Sequence, residues 1–352
     1  MMGRLREFIR RERVYVLLLI LIALVSLAQH HAEKGVTEKA GIKADNAESR
    51  IKALEEEGSA KKIKEKLASN APLRVYFSVV VFFITFAFFS GVFLTAIFIL
   101  RKISGKSVIS RRVDSNKAAW RVWDVCKVAV LFILFGYIVS AVEAAVISFI
   151  PHERLSGNFI TAFNTTLMDL AAVLFILYFV VSVYGQKISS LGITSKEIFR
   201  NIVTGVAGYV TLIPSFILVL FITVAVTKLL RYTPPKQPVF DLFLEEKSAA
   251  MLIYSTILVA FIGPVLEEVF FRGFFYNALK NRFGILCSAL ISASLFSVLH
   301  ANIVAFFSIF LLGMLLAYLY EKTGSLVSSI TVHVMHNTAM VSLLFLLKEL
   351  SA

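Results

Sequence analysis

Three clusters of ionisable residues interrupt the long apolar stretches in the C-terminal part of this sequence. Such residues are rare and costly inside membrane-spanning segments, and they mark functional sites by default. In the first cluster Glu268 and Arg272 stand four residues apart, so on a helix they share a face and can pair. The adjacent Glu267 is turned by about 100° on the same helix and has no partner in this stretch. One neutralised carboxylate beside a free one is an arrangement suited to general-base chemistry.

The other two clusters are built around histidines. Phe296 and His300 are four residues apart in one apolar segment. In a later segment His333 and Asn337 share a helical face, with His336 close by. A lone histidine in an apolar helix is more often a core residue. That interpretation is weaker here, because two separate helices each present a histidine beside a glutamate pair.

The depth of these residues in a membrane tests whether they can meet. At a rise of roughly 1.5 Å per residue from the nearest polar turns, Glu267, His300, His333 and Asn337 all fall at interior depths of a core about 30 Å thick. The sequence therefore predicts one buried polar site to which several helices contribute.

The composition indicates that the elements positioning this site are transmembrane helices. Of the 352 residues, 58% are hydrophobic and 17% are charged, against about 45–50% and about 25% in soluble domains. These values exclude a disordered chain, a disulfide scaffold and an ordinary cytosolic enzyme. They predict an all-α, polytopic transmembrane bundle. Because a span needs roughly 20 apolar residues, we expect about nine spans, near residues 14–28, 75–100, 125–150, 159–184, 203–228, 249–279, 283–300, 303–320 and 325–347.

The positive charge of the chain is explained by topology. The formal net charge is +13, and basic residues concentrate in the predicted loops 101–123 and 185–202. Basic loops of membrane proteins lie on the cytoplasmic side. We therefore expect a cytoplasmic N-terminus and a lipid bilayer as the surroundings, and no nucleic-acid partner.

The chain divides into four predicted parts. Residues 1–28 are a membrane anchor or a signal peptide cleaved near Ala28, because basic residues precede a short apolar stretch. Residues 29–74 form a polar, helical, extracytoplasmic segment. Residues 75–202 supply additional transmembrane helices, and residues 203–347 hold nearly all the intramembrane chemistry.

The three clusters occur in order on successive helices as Glu-Glu-x-x-x-Arg at 267–272, Phe-x-x-x-His at 296–300 and His-x-x-x-Asn at 333–337. This pattern resembles the CPBP family of CaaX proteases and bacteriocin-processing enzymes, also called the type II CaaX prenyl endopeptidase or Abi family. The resemblance covers roughly residues 203–347. It implies an intramembrane endopeptidase acting on a membrane-embedded or lipid-anchored protein or peptide. We expect its location to be the plasma membrane of a prokaryote.

The resemblance also implies roles for the first two clusters. Glu267 together with His300 would activate the attacking water. Glu268 and Arg272 would order the site, and Glu268 could also assist His300. These roles agree with the need for a base within hydrogen-bond reach of the water.

The third cluster would stabilise the transition state. The resemblance implies that His333 and Asn337 form the oxyanion hole, since an imidazole N–H and an amide can both donate to a developing oxyanion. Phe296, Phe271 and His336 are expected to line the cavity, although core packing is an equally good interpretation of Phe296.

A zinc-dependent version of the same protease is an open alternative. Glu267, His300 and His333 would then be the metal ligands, a set compatible with catalytic zinc. Their spacing differs from the His-Glu-x-x-His helix of many zinc proteases. Arg272 beside the paired glutamates would also compete with a cation. The sequence thus favours a site without a cofactor, with zinc as the alternative.

Two other classes of protein remain possible from the sequence. A transporter is one, because Glu143 and Asp169 are further acidic residues in predicted spans and Gly263-Pro264 can break a helix. Transporters tend to show internal repeats, and we find none. For Glu143 and Asp169, pairing with polar neighbours on other helices is the simpler interpretation. A non-catalytic scaffold or bacteriocin-immunity protein is the other class, and the intact motifs argue against it.

Overall fold

The predicted all-α fold is confirmed by a computed structural model, which describes residues 12–33, 59–106, 118–149, 157–232 and 238–351. Helices make up nearly all of these ranges, which contain no strand. The α-helices are α1 (Arg13–Glu33), α2 (Ser59–Ser69), α3 (Ala71–Ile103), α4 (Val122–Phe149), α5 (Gly157–Leu177), α6 (Ile198–Leu229), α7 (Pro238–Glu245), α8 (Ala249–Ile257), α9 (Gly263–Glu268), α10 (Asn277–Leu299), α11 (Phe306–Thr323) and α12 (Leu326–Ser351).

The chain is an integral, multi-pass membrane protein. Seven helical stretches in its described part are long and apolar enough to cross a bilayer, so the predicted number of about nine spans is not confirmed. The two counts differ at two places. Residues 249–299 count as one stretch of 51 residues, and the helix at 13–26 is shorter than a full span.

A glycine divides the longest of these stretches. Gly284 lies inside α10 with φ 75° and ψ 178°, a left-handed backbone conformation that favours glycine. The helix axis is therefore broken at this residue, close to the polar residues Lys280–Arg282 between two of the predicted spans.

Before residue 75 the structure describes residues 12–33 and 59–74, and the rest of the predicted parts 1–28 and 29–74 lies outside the described residues. Within residues 29–74, the stretch Ser59–Ser69 is helical, and it is followed by the first long span, which begins at Ala71. The division at residue 202 stays a prediction.

Two wide, π-helical turns flank the short helix α9. They are Leu258–Ile262 before it and Val269–Tyr276 after it. Pro264 is the second residue of α9. Because proline has no N–H to donate to the preceding turn and its ring crowds that turn, the regular helix is interrupted just before α9. Such wide turns occur frequently at functional sites.

The helices of the C-terminal part pack around α12. This helix contacts α6, α7, α9, α11 and the first wide turn, while α10 packs lengthwise against α11. Gly313 permits the close approach of α10 and α11, since a Cβ atom there would lie 3.0 Å from the Cβ atom of Ala293. Helix α12, which carries the third cluster, is therefore a direct neighbour of α9, whereas α10 packs against α11 and the second wide turn.

Candidate active site

The centre of the site is a fully buried ion pair. Arg272 Nη1 donates to Glu268 Oε1 at 2.6 Å, and both side chains are 0% exposed. The spacing of four residues predicted this pairing, and it persists although Arg272 lies in the wide turn. Arg272 Nη2 donates to the backbone oxygen of Gly313 at 3.3 Å. The guanidinium also lies 4.5 Å from the ring centroid of Phe296, a cation–π distance.

His333 connects this pair to the second glutamate. Its Nδ1 lies 3.0 Å from Glu268 Oε1, and its Nε2 lies 3.8 Å from Glu267 Oε2. Because an ionised carboxylate only accepts, Nδ1 carries the proton shared with Glu268. Nε2 can then donate to an oxyanion only when the ring holds protons on both nitrogens.

Glu267 has a free acceptor. Its side chain is 33% exposed, whereas that of Glu268 is fully buried. Within the described part of the chain, Oε2 of Glu267 and Oε2 of Glu268 are both buried without a hydrogen-bond partner, so the two glutamates differ in how exposed the rest of the side chain is. Of the two glutamates, Glu267 is therefore the one that can accept a proton from a bound water.

His300 presents its Nε2 in the same way. It lies at the C-terminal end of α10, and its Nδ1 is 2.7 Å from the backbone oxygen of Phe296. A carbonyl oxygen accepts, so Nδ1 carries the hydrogen and Nε2 of the neutral ring keeps a lone pair. The ring is exposed. A water molecule can therefore reach this nitrogen.

Phe296 is the aromatic centre between the two histidines. It is fully buried, and its ring centroid lies 4.6 Å from that of His300, 5.5 Å from that of His333 and 5.0 Å from that of Phe271. This is the packing interpretation left open by the sequence. The ring fixes the positions of both imidazoles and of Arg272 together.

Asn337 and His336 extend the site along α12 in different directions. Asn337 Nδ2 donates to the backbone oxygen of Val259 at 2.8 Å, which leaves its second amide hydrogen for another acceptor. His336 instead faces α6, where its Nδ1 lies 3.3 Å from the hydroxyl of Tyr209 and its ring packs against Phe216.

The described side chains form no preformed zinc site, and zinc stays the alternative to a site without a cofactor. Across the described ranges, no group of three or more His, Cys, Asp or Glu side chains is placed to hold a metal ion. His333 and His300 each direct Nδ1 to a protein acceptor and keep Nε2 available, as metal-ligating histidines do, but Glu267, His300 and His333 do not converge as three ligands. A catalytic zinc site needs that convergence.

Sequence reasoning missed the contribution of Gly313. Its carbonyl is an acceptor for Arg272, and a backbone oxygen leaves no signal in a residue pattern. A glycine in an apolar helix was the only available clue, since it indicates close helix contact.

The comparisons with known proteins concern the segment that holds this site. Residues 249–339 match the family described as "Type II CAAX prenyl endopeptidase Rce1-like". Over 91 residues the chain is 33% identical to a protein of Bacillus subtilis (strain 168) named "Putative membrane peptidase YdiL". That alignment covers 26% of this chain and 36% of the relative, so the chain matches about a third of the relative's length.

A comparison with solved structures found no match. The segment 249–339 contains all seven named residues of the three motifs. Over this segment the comparisons confirm the resemblance to the CPBP family that the motifs predicted.

Proposed function

We propose that this protein is an intramembrane endopeptidase that hydrolyses a peptide bond of a membrane-associated protein or peptide. The observation that carries the proposal is the presence of two proton acceptors, the partly exposed Glu267 carboxylate and His300 Nε2, beside a fully buried Glu268–Arg272–His333 cluster. Peptide hydrolysis needs both a base for water and fixed groups that hold it in place.

The proposed reaction begins with water held by Glu267 and His300. One of these groups takes a proton as the water oxygen bonds to the substrate carbonyl carbon. The carbonyl oxygen becomes an oxyanion. The C–N bond then breaks, and the proton passes from the base to the leaving nitrogen, which departs as an amine.

The oxyanion would be held by two donors on one face of α12. Asn337 keeps one amide hydrogen after bonding Val259. His333, which lies between the carboxylates of Glu267 and Glu268, would donate from Nε2 in its doubly protonated form. Donors of this kind act strongly in a water-poor, low-dielectric site.

The proposal includes three further elements. We propose that the reaction uses no metal, a choice supported by the lack of a preformed ligand group among the described side chains. The substrate is embedded in or anchored to the bilayer. The protein lies in the plasma membrane of a prokaryote with its N-terminus in the cytoplasm, which is the orientation favoured by its basic loops.

The test compares membrane peptides from cells producing the wild type, Glu267→Gln or His300→Ala. We expect both variants to accumulate at normal abundance and to lose the same cleavage products. Glu143→Gln is the matched control, since Glu143 is also an intramembrane carboxylate but bonds Asn164 at 2.6 Å. If both site variants release the same peptides as the wild type, the proposed activity is wrong.

A further inference from the structure

An open groove lies between α3, α6 and α11. Residues of these three helices line a cavity of about 550 Å³, a volume typical of small-molecule sites. The side chains of Ile99 and Val203, which line the groove, are about half exposed, so a molecule can enter it from the surrounding bilayer. The seven motif residues are not among its lining residues. The groove is therefore separate from the candidate active site.

The walls of this groove are apolar. Phe98 of α3 and Leu315 of α11 contribute apolar side chains. The hydroxyl groups of Thr95, Thr204 and Thr211 each donate to the backbone oxygen four residues earlier in their own helix, at 2.7–2.8 Å. Because these hydroxyl hydrogens are already used, a molecule in the groove meets mainly hydrocarbon. Such walls suit an acyl chain.

A close helix contact fixes the direction in which α3 and α6 run. A Cβ atom on Gly91 of α3 would lie 2.3 Å from the backbone oxygen of Val210 of α6, so the two helices touch there. From this contact the groove follows α3 forward to Lys102 and α6 backward to Val203. The helices are therefore antiparallel, and the C-terminal end of α3 lies beside the N-terminal end of α6.

The C-terminal end of α11 lies at the same end of the groove. A Cβ atom on Gly205 of α6 would lie 2.6 Å from the backbone oxygen of Ser328, in the first turn of α12. Helix α11 ends at Thr323, just before α12 begins. Three helix ends therefore meet at one end of the groove.

The length of the groove matches one leaflet of a bilayer. On α6 the lining residues run from Val203 to Ser215, which corresponds to about 18 Å along the helix axis. Half of a hydrocarbon core is about 15 Å thick. A transmembrane helix of a partner protein would need the full thickness of the core. The groove is therefore better matched to a lipid of one leaflet.

The end of the groove where the three helix ends meet is basic. Lys102 lines the groove from the last turn of α3. Lys322 lies in the last turn of α11, with its Nζ 5.7 Å from the ring centroid of Tyr318, which also lines the groove. The adjacent Glu321 pairs with Lys280 at 2.9 Å. Neither Lys102 nor Lys322 forms an ion pair with another residue that the structure describes, so both charges can attract an anion.

We propose that this groove binds an anionic phospholipid of the bilayer. Its acyl chain lies between α3, α6 and α11, and its phosphate is attracted by Lys102 and Lys322. Basic pockets between transmembrane helices bind anionic lipid head groups in this way. The charge of the two lysines selects an anionic lipid over a zwitterionic one. The proposal is independent of the proposed peptidase activity, because it concerns a different part of the molecule.

The first test measures lipid binding to the purified full-length protein in detergent micelles by native mass spectrometry. Phosphatidylglycerol and phosphatidylcholine with the same acyl chains are compared. We expect the wild type to prefer phosphatidylglycerol. Lys102→Gln and Lys322→Gln should each weaken its binding about fivefold, the effect of one basic residue near a charged membrane surface, and should leave the binding of phosphatidylcholine unchanged.

The control for this test is Lys228→Gln, because Lys228 lies in the last turn of α6, at the opposite end of that helix from the basic end of the groove. It should leave the binding of both lipids unchanged. Equal affinity of the wild type for the two lipids would overturn the proposal. So would a loss in Lys228→Gln as large as that in Lys102→Gln.

The second test locates the lipid. Phosphatidylglycerol with a photoreactive diazirine in its acyl chain should crosslink to the lining residues of α3, α6 and α11 rather than to the exposed face of α4. Ala207 lines the groove and is half-buried, so Ala207→Phe should fill the cavity and remove most of these crosslinks. The lysine variants leave the groove unfilled, so they decide the question if Ala207→Phe fails to fold.

Competition separates a lipid from a free phosphate ester in the same experiment. Unlabelled phosphatidylglycerol should abolish the crosslinks, whereas glycerol 3-phosphate, which lacks acyl chains, should not. Crosslinks spread equally over α4 and the groove would contradict the proposal. Equal competition by glycerol 3-phosphate would contradict it as well.

Discussion

The buried pair of Glu268 and Arg272 makes a quantitative prediction about stability. Replacing Arg272 by methionine preserves much of the side-chain volume but leaves Glu268 as a carboxylate at 0% exposure, with only His333 as a hydrogen-bond partner among the described residues. We expect this variant to be strongly destabilised, because an uncompensated charge remains in a low-dielectric interior.

The size of the effect follows from the contacts that are lost. Breaking a buried ion pair from one side costs about 3–5 kcal/mol, and the cation–π contact with Phe296 at 4.5 Å contributes on the order of 1–2 kcal/mol when desolvated. These effects overlap, so we expect about 4 kcal/mol in the free energy of unfolding. The double variant Glu268→Gln/Arg272→Met removes both charges and should cost about half of that or less.

Tryptophan fluorescence can measure this unfolding in mixed micelles of detergent and lipid. Trp120 is fully buried and donates to the backbone oxygen of Phe274 at 2.8 Å, so it reports directly on the wide turn that holds Arg272. The control is Lys61→Gln, which breaks an exposed pair of the same spacing with Glu65 at 4.0 Å. For Lys61→Gln we expect the free energy of unfolding to change by no more than about 0.5 kcal/mol. The reasoning would be refuted if Arg272→Met lowered the free energy of unfolding by less than about 1 kcal/mol. It would also be refuted if the double variant were no more stable than Arg272→Met.

Three further predictions follow from other contacts. Gly313→Ala should destabilise the protein by about 1–3 kcal/mol, because the new Cβ would lie 3.0 Å from that of Ala293; Gly157→Ala, with open space around it, is the control in the same unfolding assay. Peptidase activity should survive chelation by 1,10-phenanthroline, and loss of activity that added zinc restores would contradict the metal-free proposal. Outside the spans, hydrogen bonds from Asn158 and from backbone N–H groups lower the pKa of Glu246 below its model-peptide value of 4.5. The stability that the ionised Glu246 carboxylate gives to the folded protein is therefore fully present above pH 4.5. It is lost as the pH falls through the lower pKa that Glu246 has in the folded state. Unfolding measured across this range should show a smaller pH dependence in Glu246→Gln, and an unchanged dependence would be evidence against the role of this carboxylate.

Local spacing predicted the parts of the site that depend on one helix. The pairing of Glu268 with Arg272 required only a separation of four residues. The all-α fold followed from composition and apolar length. The interior depths of His300 and His333, estimated from the fixed rise per residue of a helix, indicated that both could belong to one site.

Contacts between helices decided what the sequence could not show. Glu143 and Asp169 have the same charge and similar surroundings in the sequence, yet among the residues that the structure describes only Glu143 has a hydrogen-bond partner, Asn164. The carbonyl of Gly313 and the carbonyl that orients His300 are backbone atoms. A residue pattern carries no information about which backbone atoms will lie opposite a side chain.

The position of Arg272 one turn after Glu268 also has a consequence for how the chain enters the bilayer during synthesis. A charged residue whose partner lies on a different helix has to wait for that helix to be made. Glu268 and Arg272 belong to the same continuous helical stretch, so they can enter the membrane together as a neutral unit, which lowers the cost of insertion. Insertion of this segment therefore does not depend on His333, which is synthesised 61 residues after Arg272.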